Sequence, residues 1–169
     1  YLEPDRIIAS DLTRAWATAQ ALSARTGVHV TADARLRETF AGEWEGLSRA
    51  ELLGRYGDEV ARWASDSAAR PGGGETRIEV ADRVVAAITD GLDELAESGT
   101  LVVATHGGAA RAGIGALLEL PPEQWACLGV LSNCAWSILS ENSTGFGPAW
   151  RLQEYNAGSL PTPALADDR

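Results

Sequence analysis

The chain has 169 residues, 45% of them hydrophobic and 22% charged, with a formal net charge of −10. That length suits a single domain with a substantial core. The negative balance, with no basic run anywhere, argues against a nucleic-acid backbone or an acidic lipid surface as partner. No apolar run is long enough to span a bilayer and no signal-peptide pattern is visible, so a cytoplasmic protein without a membrane partner is expected. An anionic ligand would need a local cluster of positive groups to override the global field.

Two compositional details add expectations. Cys127 and Cys134 lie in apolar surroundings, which reads as two buried free thiols in a reducing compartment. The sequence contains no methionine and starts at Tyr1, so it is expected to begin inside a longer polypeptide.

In chain order, "RIIAS" (Arg6 to Ser10) reads as a short buried strand. A helix is expected from Asp11 to about Arg25, with Ser10 or Asp11 as N-cap and Gly27 just past its end. "VHV" (Val28 to Val30) reads as a second strand. "RETFAGEWEGLS" is loop-like, and Ser48 with Glu51 forms a capping-box pattern opening a helix that runs towards Ser65.

After the break "RPGGGE", Ile78, Ala81, Val84, Val85, Ile88, Leu92 and Leu95 mark one face of a long helix that Gly99 ends. "LVVAT" is a strand of the continuous apolar kind, expected where both faces are covered. Ala109 to Leu118 reads as a helix closed by Pro121 and Pro122. Cys134 to Leu139 and Ala149 to Tyr155 are strand-like, and "PTPALADDR" reads as a frayed tail from about residue 157 onward. Strands alternate with helices and no linker divides them, so the expected fold is one α/β domain with a mostly parallel sheet.

Two junctions share one design: a buried strand, a small or polar residue, then a helix start. They are "IIASDLTRA" and "LVVATHGGAAR". Ligands of parallel sheets bind outside the carboxyl ends of the strands, where helix N-termini offer free N–H groups and a positive dipole end. Each junction carries an arginine early in its helix, Arg14 and Arg111. A cation in the first turn opposes the dipole by roughly 0.3–1 kcal/mol unless an anion sits beside it. Singly, each residue has an ordinary explanation: backbone contacts for His106, a tight turn for Gly107 and Gly108, an ion pair for Arg14, plain solvation for Glu38. Together they describe a site for an oxyanion.

Four stretches, "SDLTRAWATA", "LRETFAGEWEG", "GGGETRIEVADRV" and "ATHGG", stand in the order found in the histidine phosphatase superfamily, which includes the cofactor-dependent phosphoglycerate mutases. The chain resembles that family from about Arg6 to Asn156. "LELPPEQWACLGVLSNCAWSILS" and "WRLQEYN" are similar to its actinobacterial phosphatases of the glucosyl-3-phosphoglycerate type. The resemblance implies a three-layer α/β sandwich with a mostly parallel central sheet, and hydrolysis of a phosphomonoester through a phosphohistidine. It implies that Arg14 grips phosphate oxygens with its planar fork, that His106 donates to the charge growing on them, and that Gly107 adds its backbone N–H. Glu38 would protonate the leaving oxygen from a carboxyl with a raised pKa.

No cofactor and no metal are implied. The substrate would be a small phosphorylated metabolite, a phosphoglycerate or sugar derivative, and a homodimer stays open. The family's Arg-His-Gly element, whose histidine is the nucleophile, is missing here. By the family's order it belongs upstream of Tyr1 with the first strand and first helix, so the chain alone is expected to be inactive. His29, in "GVHVTAD", reads as structural. The span from Gly42 to Glu75 is short for a mutase, which favours a phosphatase. Trp44 and Trp63 there could contact the organic part of a substrate or pack in the core. A mutase and a noncatalytic phospho-ligand-binding relative are the alternatives.

Overall fold

A computed structural model describes residues 3–96 and 98–158. Three parallel strands form its centre: β1 (Arg6–Ala9), β2 (Val30–Ala32) and β3 (Leu101–Ala104), in the order β2-β1-β3. Ile7 is opposite Val30 and Val102, and Ala9 is opposite Ala32 and Ala104. Successive side chains of a strand face opposite ways, and the two cores follow that alternation. Ile7, Ala9, Val102 and Ala104 pack on one side with Ala19, Trp16 and Leu22 of α1 (Thr13–Thr26). Ile8, Leu101 and Val103 pack on the other with Val80, Ala81, Val84 and Ala87 of α3 (Arg77–Asp93) and Ala109 and Ala112 of α4 (Gly107–Leu117). The result is three layers, with helices on both faces of the sheet.

Between β2 and α3 the chain makes α2 (Arg49–Ser65), opened by the expected Ser48–Glu51 capping box and kinked at Tyr56. No residue of α2 is fully buried. It is tied to the body through Trp44, which is 6% exposed and lies 6.0 Å from the Tyr56 ring and 6.1 Å from that of Trp63. Arg77 of α3 stacks its guanidinium 4.3 Å over Trp63. Packing is the role this geometry gives Trp44. The loops on either side of α2 cross at Gly42 and Gly72, both at a φ of 54°. A Cβ on Gly42 would strike the Gly72 carbonyl, and one on Gly72 would lie 2.5 Å from the Ala41 oxygen. Only glycine allows that crossing.

Past α4, a 3-10 stretch (Pro122–Cys127) seats Trp125 against Gly115, and β4 (Trp136–Glu141) pairs antiparallel with β5 (Trp150–Ala157). Most elements stand near their expected places, and the differences have local causes. α1 starts at Thr13 with Leu12 as an N-cap lacking any side-chain bond. Ser10 and Asp11 do not cap it, because Asp11 accepts a bidentate pair of hydrogen bonds from Arg37 and Ser10 turns to His106.

β2 begins two residues later than expected, where the β1 ladder can reach it. α3 stops at Asp93, before Leu95 and Gly99, and its buried line is Val80, Val84, Ala87 and Gly91, with Ile78 37% exposed. The residues of β3 are all only partly buried, because among the described residues one edge of the strand has no partner. Both cysteines are free but exposed, which corrects the buried-thiol expectation: they sit on the long connection between α4 and β4. The tail "PTPALADDR" lies outside the described residues.

Candidate active site

The carboxyl ends of β1 and β3 open onto one rim. The Ser10 N–H donates to the Ala104 carbonyl at 2.9 Å, which carries the ladder one step past β1 and sets Ser10 beside His106. His106 is the N-cap of α4, with φ −122° and ψ 161°, and makes no side-chain cap. Its ring instead turns inward, where Nε2 lies 2.8 Å from the Ser10 hydroxyl, and the residue is 7% exposed.

The loop after β2 crosses the same rim. Asp33 donates its N–H to Ala9, the Thr105 hydroxyl donates to the Leu36 carbonyl at 2.7 Å, and Leu36 is fully buried. Glu38 is thereby delivered to the start of α4. Its carboxylate accepts from the N–H groups of Gly108 at 3.1 Å and Ala109 at 2.9 Å, and from its neighbour Thr39 at 2.9 Å. At this helix start, where the sequence pointed to a ligand, the acceptor is the Glu38 side chain itself. The Gly107 N–H has no hydrogen-bond acceptor among the described residues, so one donor of the turn stays available.

Arg14 occupies the first turn of α1 and is exposed, and its side chain forms no hydrogen bond or ion pair among the described residues. It lies within electrostatic reach of His106. Burial pushes the His106 imidazole below its ordinary pKa, Arg14 pushes it further down, Glu38 opposes, and Arg83 adds a smaller downward push. His106 thus stays neutral at neutral pH, able to offer a ring N–H without carrying charge. Arg111 does not share Arg14's position, since it is the fifth residue of α4, beyond the first turn, and acts on Tyr155 instead.

The β4–β5 hairpin closes the third side. Tyr155 donates its hydroxyl to the Gly129 carbonyl at 2.5 Å. Asn156 accepts from the Ser132 N–H at 2.7 Å and donates to the Val130 carbonyl at 3.2 Å. These bonds hold the 129–132 loop so that the Leu131 carbonyl lies 3.6 Å from where a Cβ on Gly107 would stand. His29 precedes β2, at the opposite end of the sheet from this rim, and is exposed.

The sequence named His106, Glu38, Arg14 and Gly107, and the structure sets Glu38 and Arg14 within electrostatic reach of His106, with Gly107 the residue that follows it. It did not name Ser10 as a partner of His106, nor Arg83 and Glu75 behind Glu38. A charge at position 83, between the apolar positions 80, 84 and 87 of one helix, was the available signal. Among the described residues no cluster of His, Cys, Asp or Glu is arranged to hold a metal ion, and no helix is long and apolar enough to cross a membrane.

Fold and rim together define the class, an α/β domain with a parallel central sheet whose strand ends and helix starts meet at one rim. Residues 2–157 match the histidine phosphatase superfamily (branch 1). Glucosyl-3-phosphoglycerate phosphatase of Mycolicibacterium vanbaalenii is 34% identical over 170 residues, covering 93% of this chain and 76% of that protein. The Mycobacterium tuberculosis enzyme of the same name is 36% identical over 168 residues, with 93% and 75% covered. A solved mycobacterial glucosyl-3-phosphoglycerate phosphatase in complex with inorganic phosphate superposes with a TM-score of 0.84 at 36% identity, covering 92% of this chain and 78% of that one. A 2,3-bisphosphoglycerate-dependent phosphoglycerate mutase of Gloeobacter violaceus is 34% identical, but over 68% of this chain and 55% of its own length. The chain belongs to the histidine phosphatase superfamily. Within it, this is a phosphatase acting on a small phosphorylated metabolite.

Proposed function

We propose that this chain carries the phosphate-gripping and acid–base half of a phosphatase site for a phosphoglycerate or sugar-phosphate derivative of the glucosyl-3-phosphoglycerate kind. The observation that carries the reading is the convergence of Glu38, His106 and Arg14 at the rim shared by β1, β3 and α4. The relatives' names and the phosphate-bound neighbour supply the substrate class.

A histidine nitrogen attacks phosphorus in line with the ester oxygen; the P–N bond forms and the P–O bond breaks. Arg14 holds the equatorial oxygens with its fork, and the His106 ring N–H and the Gly107 N–H donate to them as charge builds. Glu38 gives its proton to the departing alkoxide, takes one from the incoming water, and the P–N bond then breaks to release phosphate. His106 is the acceptor-facing histidine, and His29 stands at the wrong end of the sheet. By the family resemblance the nucleophile is a further histidine, neither His106 nor His29, and among the described residues one edge of β3 has no partner strand.

The test compares this chain with the protein extended through the coding sequence that precedes it. Phosphate release is measured on glucosyl-3-phosphoglycerate, 3-phosphoglycerate and simple sugar phosphates. The extended protein is expected to release phosphate and the chain alone to release none. Interconversion of phosphoglycerates without net release would point to the mutase reading, and phosphate binding without turnover in either form would point to a noncatalytic relative. The exposed free thiols and the net charge of −10 suit a cytoplasmic protein with no nucleic-acid partner. Sedimentation of the extended protein decides between monomer and homodimer.

A further inference from the structure

Glu38 stands between two 3-10 turns, Ala34–Leu36 and Gly42–Trp44, on a stretch that has no other regular structure of its own. An acid that must meet a leaving oxygen within hydrogen-bond reach needs its backbone fixed more tightly than such a loop provides. The fixing group is on α3. The Arg83 guanidinium donates through Nη1 to the carbonyls of Arg35 at 2.6 Å and Arg37 at 2.7 Å, and through Nη2 to the carbonyl of Glu38 at 3.1 Å. Its Nε and Nη2 also donate to the two oxygens of Glu75, at 2.8 and 2.9 Å. All five guanidinium N–H groups are thus engaged.

Glu75 completes the grip from the other side, because its Oε2 accepts from the Phe40 N–H at 2.9 Å. The loop is held at residues 35, 37, 38 and 40, on both sides of the carboxylate that caps α4. Neither group is freely solvated, the Arg83 and Glu75 side chains being 18% and 27% exposed. Burial raises the Glu75 carboxyl, but its bonds to Arg83 and Phe40 outweigh that and keep it below the ordinary range. Lysine could not substitute, since its point charge has three donors and no fork.

We propose that Arg83, locked to Glu75, is the positioning residue that aims the Glu38 carboxyl at the leaving oxygen of the substrate. Arg83 acts through the backbone of Glu38 and does not itself touch the reacting atoms. The inference rests on the phosphatase reading above. Its signature is therefore one that a general loss of fold or of phosphate binding does not produce, a dependence on the leaving group. A phosphate ester of an alkyl alcohol needs a proton on its departing oxygen, whereas 4-nitrophenyl phosphate leaves as a stable phenolate and needs little help.

The experiment measures kcat and KM of the extended protein, of Arg83→Lys, Arg83→Gln and Glu38→Gln, and of the Glu38→Gln/Arg83→Gln double variant, on glycerol 3-phosphate and on 4-nitrophenyl phosphate. Folding of each is checked by circular dichroism. The expected result for Arg83→Lys and Arg83→Gln is a drop in kcat of roughly 10- to 100-fold on the alkyl ester. On the aryl ester the drop stays within about 3-fold, and the double variant is no slower than Glu38→Gln alone. Equal losses on both substrates in a folded variant, or near-normal turnover of both, would overturn the proposal.

Should Arg83→Gln fail to fold, Arg83→Lys, which keeps the charge and loses the fork, gives the same reading. A wild-type protein that releases phosphate from neither ester, nor from glucosyl-3-phosphoglycerate, 3-phosphoglycerate or simple sugar phosphates, sinks the phosphatase reading. In that case amide exchange still tests the clamp: the Gly108 and Ala109 N–H groups lose protection in Arg83→Lys if Arg83 positions Glu38, and keep it if Arg83 does not.

Discussion

His106 Nε2 lies 2.8 Å from the Ser10 hydroxyl, with Ser10 completely buried and His106 nearly so. Ser10 directly follows β1 and His106 lies two residues past β3, so a single hydrogen bond fixes the ring between the ends of two neighbouring strands. Ser10 is also the acceptor for the Leu12 N–H at 3.3 Å, which ties the same hydroxyl to the entry of α1. Removing it strands a buried ring nitrogen, at a cost of about 1–3 kcal/mol. Ser10→Ala is expected to lose that much stability in urea denaturation. It is also expected to turn over substrate at least tenfold more slowly, because the ring can rotate away from the rim. A variant of unchanged stability and rate would show that the bond positions nothing.

The same ring sets a pH dependence. Its folded pKa lies below the ordinary value of 6.5, first through burial and then through Arg14, with Glu38 opposing and Arg83 assisting. Between the folded and the unfolded values the unfolded chain binds more protons, so stability rises with pH across that window and is lost as pH falls below about 6.5. Urea midpoints at pH 7.5 and pH 5 should therefore differ more in the wild type than in His106→Asn. Carboxylates that titrate at lower pH, such as Glu79 held down to about 2 mainly by Arg70, affect both proteins equally. Parallel shifts in the two proteins would remove His106 as the source.

Much of this was readable before any coordinates, and what was not has physical reasons. The helix start with a reciprocal cap at Ser48 and Glu51 is written in local sequence and was found within a residue, whereas the same box at Thr76 and Glu79 of α3 was not named. The strand–helix junction at His106 was equally plain, because an apolar run followed by a histidine and two glycines changes period abruptly. The cap of α1 was misread: Ser10 and Asp11 are good caps in isolation, but long-range partners, His106 and Arg37, hold both side chains.

Exposure of Cys127 and Cys134 was hidden for a similar reason, since apolar neighbours in sequence do not place a connection under the core. The clamp of Arg83 and Glu75 on the Glu38 loop joins residues more than thirty positions apart, and no local pattern encodes such a contact.

Arg14 separates binding from folding. Its side chain is exposed and makes no hydrogen bond or ion pair among the described residues, so Arg14→Ala should stay within about 0.5 kcal/mol of wild-type stability. Phosphatase activity should fall by orders of magnitude, and Arg14→Lys should recover only part of it, because a point charge cannot replace a bidentate fork. The loss of a neighbouring cation should also raise the His106 pKa, which an NMR titration of the ring reads directly. Near-normal turnover in Arg14→Ala would remove this residue from the phosphate site.

Gly108 offers a way to move the acid without touching it. A Cβ at this position would stand 2.6 Å from Glu38 Oε1, and nothing of the backbone lies among its nearest neighbours. The obstructing atom is the far end of a flexible side chain, so Gly108→Ala displaces the carboxylate and leaves the helix in place. Alanine is also the better helix former by up to about 1 kcal/mol, which offsets what the lost hydrogen bonds cost. The expected variant is as stable as wild type, within about 1 kcal/mol, and yet turns over an alkyl phosphate at least tenfold more slowly. Its Gly107 N–H and Arg14 are untouched, so affinity for inorganic phosphate should change little, as isothermal calorimetry can measure. Unchanged turnover would mean that the carboxylate does its work from somewhere other than the start of α4, and a large loss of stability would mean that the contact is rigid rather than displaceable.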